Sequence, residues 1–365
     1  MSSEITAITL TPFSIPLVKP VHFASSVLRA ADHLLVEVHT DSEVVGVAEA
    51  IPRPMIYGET HQSIAEATRL ISNELVGTRI DEIERSGQRL ANIKGNPVAK
   101  GSIELALYDA LGKSLGISCH RLLGGFTNKV PVTLIIGMGT ADEVVDSASV
   151  ARTSLGIRSF KVKVGRNVHD DIRTICALRE AIPDATICPD ANQGYSVADA
   201  LTFFDGTVHC ELAWIEEPCF SDDLLGKSRA ANLSRTAFLG DESCTTVREV
   251  VTEVLAGRSS MISIKLARTG VRESIRIRDF CSAIGVGLIV GSQGDSTLGT
   301  WAGVSFAAAS ASTVRYPSEL SYFLDLEGSI CRQDPIVVDG HISVPEASGF
   351  GAKVDWDKFE KFRIA

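Results

Sequence analysis

Several motifs that identify large enzyme classes are missing from the sequence. There is no GxxxxGK[ST] phosphate-binding loop and no HExxH zinc-protease motif, and the GVGLIVG stretch does not fit the GxGxxG fingerprint of dinucleotide binding. The eight cysteines include no CxxC pair. Cysteines scattered in this way favour reduced thiols in a cytoplasmic protein over a framework of disulfides.

Basic clusters and long apolar runs are also missing. The chain has 365 residues and a net charge of -10, and no run of basic residues forms a surface for nucleic acid. No apolar run approaches the roughly 20 residues of a membrane span, and the opening MSSEITAITL lacks the pattern of a secretion signal. We therefore expect no nucleic-acid partner, no membrane partner and a cytoplasmic location.

What the chain does contain is two regions of different character. The first ends near residue 125 and has strand-like runs followed by helical patterns, which indicates an α+β unit. Beyond it, eight short apolar runs alternate with amphipathic helical stretches, the last run (STVRYPSELS) being the least clear.

Polar residues near the ends of the later runs are evenly spaced, 24 to 28 residues apart. They are Lys163, Asp190, Glu216, Asp241, Lys265, Gln293 and Glu319. One strand, one helix and two loops take about that length, so the spacing predicts a (β/α) barrel. An open doubly wound sheet is the alternative, but it does not require so even a spacing.

Three consecutive strands of this barrel are predicted to end in acids: Asp190, Glu216 and Asp241. The active sites of such barrels form at the carboxyl ends of the strands, where neighbouring side chains converge. Three converging carboxylates repel one another unless a cation lies between them, and an all-oxygen set suits Mg²⁺ or Mn²⁺. The alternative is that each acid caps the helix after it. Glu217 and Glu242, directly after Glu216 and Asp241, are expected to point away from the centre and to support it.

Lysines are expected on two opposite sides of the same barrel mouth. Lys161 and Lys163 in SFKVKVG share one face of the second strand, and Lys265 ends the sixth strand. A lysine crowded by another lysine and by a metal ion has a lowered pKa, which suits it to proton transfer. The alternatives are solvated lysines on an edge strand and, for Lys265, a lysine that extends from a strand end into water.

The segments KVKVG, DAN, EEP, GDES and IKLARTG, in this order and spacing, resemble the enolase superfamily. The positions of the lysines, on the second and sixth strands, are similar to those in its muconate lactonising subgroup. The mandelate racemase subgroup instead has a histidine where this chain has GSQGDS. The resemblance implies a modified TIM barrel, (β/α)7β, over residues 126–340. It also implies an N-terminal α+β capping domain over residues 1–125 and a C-terminal segment, 341–365, that returns to the cap.

The same resemblance implies a role for each matching residue. Asp190, Glu216 and Asp241 match the Mg²⁺ ligands, Lys163 and Lys265 the acid/base pair, and Lys161 their electrostatic partner. Asn192 and Glu242 match supporting polar positions, and Gln293 and Glu319 are expected beside the substrate. In the cap segment EAIPRPMIYGET, Arg53 or Tyr57 is expected to contact a substrate carboxylate; the alternative is a surface arginine and a packed tyrosine.

The implied activity is that of an isomerase: the interconversion of cis,cis-muconate and muconolactone through an enolate that Mg²⁺ stabilises. N-acylamino acid racemisation, o-succinylbenzoate synthesis and dipeptide epimerisation are the alternatives within the subgroup. Dipeptide epimerases carry an Asp-x-Asp near the eighth strand, and this chain has Glu319 and Ser321 there. A barrel that binds without catalysis is disfavoured, since every expected catalytic position is filled. The expected partner is a small carboxylate substrate, and the resemblance extends to a homo-oligomer, with an octamer among the expected forms.

Overall fold

The chain begins with a three-stranded antiparallel sheet in the computed structural model, which describes residues 3–22 and 27–364. The strands pair in the order β1-β2-β3, with Leu10 opposite Val36 and Val36 opposite Ala48. Their β-branched and aliphatic residues are typical of a sheet with one buried face. The strands are β1 (Ile5–His22), β2 (Val27–Thr40) and β3 (Val45–Ala50).

Five helices follow this sheet, and the longest of them packs against β3 of the sheet. That helix starts with a proline in its first turn and is followed by Gly116, whose φ of 68° places it in the left-handed region that favours glycine. Most of its residues are buried, as expected for a helix between the sheet and the barrel. The helices are α1 (Pro54–Tyr57), α2 (His61–Leu75), α3 (Ile83–Asn92), α4 (Pro97–Leu115) and α5 (Cys119–Leu122).

The rest of the chain forms a curled parallel sheet of seven strands, in the order β5-β6-β7-β8-β9-β10-β11. Side chains are buried on both faces, as in strand β6, where all five residues are buried. After a three-residue strand, β4 (Lys129–Pro131), the sheet strands are β5 (Thr133–Ile136), β6 (Ser159–Lys163), β7 (Thr186–Asp190), β8 (Ile215–Glu216), β9 (Phe238–Gly240), β10 (Met261–Ile264) and β11 (Gly287–Val290).

Helices alternate with these strands, and several begin at residues whose side chains cap them. Thr140 and Thr246 each form a capping box with a glutamate three residues later, and these hydrogen bonds fix the residue at which each helix begins. The helices are α6 (Ala141–Leu155), α7 (Val168–Ala181), α8 (Val197–Gly206), α9 (Leu224–Leu233), α10 (Val247–Leu255), α11 (Leu266–Ile284), α12 (Thr297–Ala307) and α13 (Ala311–Val314). In the described part of the chain, no helix has both the length and the apolar character to cross a membrane.

The predicted eighth strand is wrong in detail, since STVRYPSELS does not form a regular strand. Its first residues belong to α13, and Ser318 makes a single parallel bridge to Val132. The neighbouring backbone still closes the ring: Thr133 N–H donates to Ser318 O at 2.8 Å, and Glu319 N–H donates to Val290 O at 2.8 Å. The confirmed fold is therefore a modified α/β barrel with an N-terminal cap, closed at the eighth position by two residues rather than by a strand.

The end of the chain lies against its beginning. Strands β12 (Val337–Val338) and β13 (His341–Ser343) form a small antiparallel sheet with β4, and helix α14 (Trp356–Phe362) follows. Phe359 packs against Phe13 of β1 with ring centroids 5.9 Å apart, and Ile364 N–H donates to Pro12 O. The domain limits at residues 125 and 340 stay a prediction.

Candidate active site

The carboxyl ends of β6, β7 and β8 place three predicted site residues side by side. In the parallel ladder Lys163 is opposite Asp190, and Asp190 is opposite Glu216. Asp241 follows directly after β9, and Lys265 directly after β10. Because the ends of parallel strands meet at one edge of a sheet, these side chains project into the same mouth of the barrel.

The charged side chains at this edge form what we call the mouth cluster. It consists of Lys161, Lys163, Lys265, Arg268, Asp190, Glu216, Asp241, Glu242 and Glu319, all buried except the half-buried Glu242. At its centre, Lys161 Nζ donates to both carboxylate oxygens of Glu216 at 2.8 Å and to Glu319 Oε2 at 3.0 Å. Lys163 Nζ lies 2.6 Å from Asp190 Oδ2 and 2.8 Å from Asn192 Oδ1.

Asp241 lies between two cations on the other side of the mouth. Lys265 Nζ contacts Asp241 Oδ2, and the Arg268 Nη2 group donates to Asp241 Oδ1 at 2.7 Å and to its backbone oxygen at 2.9 Å. The Arg268 Nη1 group donates to the hydroxyl of Tyr57, which lies on the cap. Arg268 therefore connects a predicted metal ligand to the capping segment.

A break in the backbone of α11 places Lys265 and Arg268 at the same side of the mouth. Gly270 has a φ of 62° and interrupts α11, so the residues before it form a separate helical turn. A side chain at Gly270 would collide with the carboxylate of Glu104 in the cap helix α4. That carboxylate accepts the Val271 N–H at 2.8 Å, which fixes the start of the second part of the helix.

The surrounding acids control the pKa of the buried lysines. Burial alone lowers the pKa of Lys161, but the charges of Asp190, Glu216 and Glu319 outweigh it and raise that pKa well above its ordinary value. The pKa of Lys265 is likewise raised, since Asp241 outweighs the effect of burial. A raised pKa keeps Lys161 cationic, as expected from the sequence. The lowered lysine pKa that is expected beside a metal ion stays a prediction, and the nearest charge to Lys265 is the carboxylate of Asp241.

The pKa values of the three acids of the predicted metal site are shifted in different directions. For Asp190 and Asp241, burial raises the pKa, but the adjacent lysines, and Arg268 beside Asp241, outweigh it and hold the pKa below its usual range. For Glu216, burial and the negative charge of Asp190 together raise the pKa well above its usual value, despite the contact with Lys161. Of the three acids, Glu216 therefore gives up its proton least readily.

The donor set fits a hard divalent cation, although its oxygens are turned toward cationic side chains. Within residues 3–22 and 27–364, no group of three His, Cys, Asp or Glu side chains already has the spacing of a metal site. Two buried oxygens in the mouth cluster, Glu319 Oε1 and Glu242 Oε2, have no hydrogen-bond partner. Buried carboxylates with unused oxygens are the ligands that Mg²⁺ prefers. Ligation by Asp190, Glu216 and Asp241 stays a prediction.

A cavity of about 560 Å³ opens above the mouth cluster, between the barrel and the cap. All three lysines, Asn192, Glu242 and Gln293 line it, and so do Arg53 and Tyr57 from the cap. Apolar residues of the cap, including Met55, Ile56 and Leu28, form another part of the wall. The structure thus brings most of the predicted site residues to one cavity, which has a charged floor and a partly apolar roof.

Arg53, Tyr57 and Gln293 are already partly engaged by other groups. Arg53 donates to the backbone oxygens of Pro52 (3.0 Å) and Gln293, and burial lowers its pKa. The Gln293 amide donates to Ile51 O at 2.8 Å, whereas its buried Oε1 has no partner. Tyr57 presents its ring to the cavity while its hydroxyl accepts from Arg268. Gln293 thus keeps a buried acceptor free at the cavity wall.

Sequence reasoning missed several residues of this site. Arg268 could have been noticed as a second cation three residues after Lys265, one helical turn away. Tyr322 and Asp325 also line the cavity, and the buried Tyr322 hydroxyl has no hydrogen-bond partner among the described residues. Both lie in a short 3-10 helix after the eighth barrel position, where the sequence has no periodic pattern that would indicate which side chains face the cavity.

Two family models match the chain over most of its length. The model described as the mandelate racemase / muconate lactonizing enzyme N-terminal domain matches residues 5–124. The model described as enolase C-terminal domain-like matches residues 143–358. The two matches correspond to the capping region and to the barrel.

Solved structures and a curated relative agree with these matches. The muconate lactonizing enzyme of Mycobacterium smegmatis, in complex with muconolactone, is 39% identical, with a TM-score of 0.97 over 99% of this chain and 100% of that one. The dipeptide epimerase of Enterococcus faecalis, in complex with Mg and L-Leu-L-Tyr, is 26% identical, with a TM-score of 0.91 over 96% and 99% of the two chains. Muconate cycloisomerase 1 of Rhodococcus opacus is 28% identical over 97% of each chain.

Proposed function

This chain belongs to the mandelate racemase / muconate lactonizing enzyme family of the enolase superfamily, and on that premise we propose that it is a Mg²⁺-dependent muconate cycloisomerase. Its proposed substrates are cis,cis-muconate and muconolactone. The observation that carries the proposal is the placement of Lys163 and Lys265 on strands four positions apart in the sheet, facing one cavity. Reversible proton transfer to the carbon beside a carboxylate requires one such amine, and the second can stabilise charge.

The proposed reaction transfers one proton and moves one electron pair. In the forward direction, one carboxylate oxygen of muconate adds to the double bond beside the other carboxylate. The electron pair of that bond moves to the carbon next to this second carboxylate, and the ammonium group of Lys163 or Lys265 gives that carbon a proton. In the reverse direction the neutral amine removes the same proton. Lys161 stays cationic between its acids and stabilises the negative charge that develops nearby.

A metal ion would be held by Asp190, Glu216 and Asp241. When bound, Mg²⁺ would supply positive charge beside the substrate carboxylate that gains electron density. The unused oxygens of Glu242 and Glu319 and the four buried acids of the mouth cluster support a cation at this place. The Enterococcus faecalis relative that holds Mg adds support from a protein of the same fold.

Two observations favour muconate over the other substrates of the family. The identity to a structure that holds muconolactone, 39%, exceeds the 26% identity to the dipeptide epimerase structure. In addition, Glu319 is buried against Lys161, and the Ser321 hydroxyl accepts the backbone N–H of Ile135 at 3.2 Å. Neither side chain is therefore placed like an acid pair that binds a substrate amine.

Epimerisation of a dipeptide, or racemisation of an N-acylated amino acid, is the second candidate. Asp32 and Asp325 line the cavity on the side of the cap, and burial raises the pKa of Asp325 to about 6. An acidic wall of this kind would attract a substrate ammonium group. The same two lysines would then act as bases on opposite faces of the α carbon.

The test is a substrate screen with Mg²⁺, using cis,cis-muconate, N-acyl amino acids and dipeptides. We expect turnover of muconate and a single deuterium at the carbon beside the carboxylate when the reaction runs in D₂O. Turnover of a dipeptide or an N-acyl amino acid, with none of muconate, would replace the first candidate by the second. The homo-oligomeric state and the cytoplasmic location stay predictions.

A further inference from the structure

Four buried charges lie behind the mouth cluster, on the side of the barrel wall away from the cavity. We call them the rear cluster: Glu217, Lys227, Glu253 and Arg258. Lys227 Nζ lies 2.9 Å from Glu217 Oε2 and 3.1 Å from Glu253 Oε2, and Arg258 Nε lies 2.7 Å from Glu253 Oε1. The side chains of Lys227 and Glu217 are 1% and 0% exposed. Acids and bases therefore alternate in a buried chain that leads from the site toward helices α9 and α10.

Glu217 is the end of this chain nearest the proposed metal site. Its Oε1 atom accepts the backbone N–H of Asp241 at 2.8 Å, the N–H of Ser243 at 3.0 Å and the Ser243 hydroxyl at 2.5 Å. A single carboxylate oxygen thus fixes the loop that carries Asp241 and Glu242. Hydrogen bonds from a backbone segment to a buried charged acceptor are short and strong, so they hold this loop in one position.

The backbone of Glu217 links this residue to two further loops, the one that carries Asp190 and the one that carries Glu216. Gln193 N–H donates to Glu217 O at 2.7 Å, in the loop after Asp190, and Glu217 itself directly follows Glu216. One residue therefore contacts the loops that carry all three proposed metal ligands. Glu217 has a φ of 34°, an unfavourable value for a residue other than glycine. Such backbone strain persists where the surrounding contacts hold it in place.

The ammonium group of Lys227 offsets the cost of burying the Glu217 carboxylate. A carboxylate buried without a partner cation is costly, and Lys227 supplies the cation from helix α9. Lys227 Nζ also donates to the Ser243 hydroxyl at 2.8 Å, so it contacts the same loop as Glu217. Glu253 and Arg258 complete the neutralisation farther from the site.

We propose that Glu217 and Lys227 are positioning residues, which hold Asp190, Glu216 and Asp241 in the arrangement that binds the metal ion. The inference rests on the proposed Mg²⁺ site. It predicts that charge at the near end of the rear cluster controls Mg²⁺ affinity, whereas charge at its far end controls stability alone. Partners that orient metal ligands typically change affinity by about 10- to 100-fold when they are replaced.

The test compares four variants of the full chain. Glu217→Gln keeps the shape of the side chain but replaces one oxygen by an NH₂ group. That donor would face another donor, either the Asp241 N–H or the Lys227 ammonium. Lys227→Met removes the cation, and the double variant Glu217→Gln/Lys227→Met removes both charges. Arg258→Met, at the far end, is the matched control. For each protein, Mg²⁺ affinity is measured by isothermal titration calorimetry below the unfolding temperature, and thermal unfolding and the KM and kcat for muconate are measured in parallel.

We expect both single variants to weaken Mg²⁺ binding about 10- to 100-fold. The double variant should recover melting temperature, because no unpaired charge remains, but it should not recover Mg²⁺ affinity. Arg258→Met should lower the melting temperature and leave Mg²⁺ affinity within about twofold of the wild type. The double variant also keeps the test valid if Lys227→Met fails to fold.

Two results would overturn the inference in different ways. Wild-type Mg²⁺ affinity in Glu217→Gln or in the double variant would show that the rear cluster only supports the fold. A wild-type protein that binds no Mg²⁺ would instead overturn the proposed function, and the inference with it. The wild-type titration therefore separates the two failures.

Discussion

The two buried charge clusters are close in space but differ in how completely their atoms are paired. The mouth cluster contains four cationic and five acidic side chains and borders a cavity, and Glu242 and Glu319 each keep an oxygen without a partner. The rear cluster contains two of each charge. Among the described residues, none of its side chains has a buried oxygen or nitrogen left unpaired.

This difference supports separate roles for the two clusters. Buried polar groups in folded proteins are almost always paired, so the unpaired oxygens of Glu242 and Glu319 are acceptors that the proposed cation would use. A fully paired, neutral network has no remaining capacity for a ligand and acts by fixing the backbone around it. Changes at the mouth should therefore affect chemistry first, and changes at the rear should affect stability and geometry first.

The largest expected effect is the loss of turnover when a mouth lysine is removed. Of Lys163→Ala and Lys265→Ala, the variant that lacks the proton donor should lower kcat by about 10²- to 10⁴-fold, the usual contribution of a positioned acid or base, and the other should lose only the stabilisation of charge. The folding midpoint in urea should change far less than it does for Lys227→Met. The exposed Lys129→Ala is the matched control and should keep full activity. Retention of activity in both mouth variants would contradict the assignment of these lysines.

Loss of stability should be the main effect at the rear. Lys227→Met leaves Glu217 and Glu253 without the cation between them, so the free energy of unfolding should fall by about 3 to 5 kcal/mol. Urea denaturation followed by circular dichroism measures this change. A fall of less than about 1 kcal/mol would mean that water reaches the two acids, and the comparison of the clusters would then lose its basis.

The mouth could be anticipated from sequence more fully than the rear, for a physical reason. Barrel strands recur at even spacing and alternate their faces, so the neighbours Lys163, Asp190 and Glu216 follow from strand order alone. Lys227 lies on a helix with no clear amphipathic pattern, and its partners come from β8 and α10. Tertiary packing decides such contacts, which no local pattern contains.

One error at the mouth has a similarly specific cause. The eighth strand was expected from an apolar run, but a short helix and the bridge at Ser318 take its place, because closing the ring needs only two residues there. The lowered lysine pKa stays a prediction, since it includes the charge of a metal ion. The sequence does not reveal how near each carboxylate lies, and at Lys265 the contact with Asp241 raises the pKa.

The buried acid Glu104 is intermediate between the two clusters in how completely it is paired. Its ion pair with Arg272 is long, with 4.0 Å between Arg272 Nε and Glu104 Oε1. Burial raises its pKa to about 7. Since the folded state then holds its proton more tightly than the unfolded state, stability falls as pH rises from about 4.5 to 7, by about 3 kcal/mol. Glu104→Gln, which cannot ionise, should lack this part of the pH dependence.

The measurement is urea denaturation of both proteins at pH 5 and pH 7.5. The difference in unfolding free energy between Glu104→Gln and the wild type should shift in favour of the variant at the higher pH. Equal pH dependence in the two proteins would contradict the raised pKa of Glu104.

The smallest effect is expected at the surface, where charge pairs lie in water. Arg152 forms an ion pair with Asp184, and both side chains are partly exposed. Solvent screens such pairs, so Arg152→Ala should leave the melting temperature and kcat unchanged within the error of differential scanning calorimetry and of the muconate assay. A clear loss in either would show that exposed pairs matter as much as the two buried clusters.

The most direct measurement is anomalous diffraction from crystals soaked in Mn²⁺, which replaces Mg²⁺ at oxygen sites and is visible by its scattering. The account predicts one strong peak at the mouth of the barrel, within about 2.0 to 2.3 Å of oxygens from Asp190, Glu216 and Asp241. No peak there, in crystals of a protein that still turns over its substrate, would contradict the account.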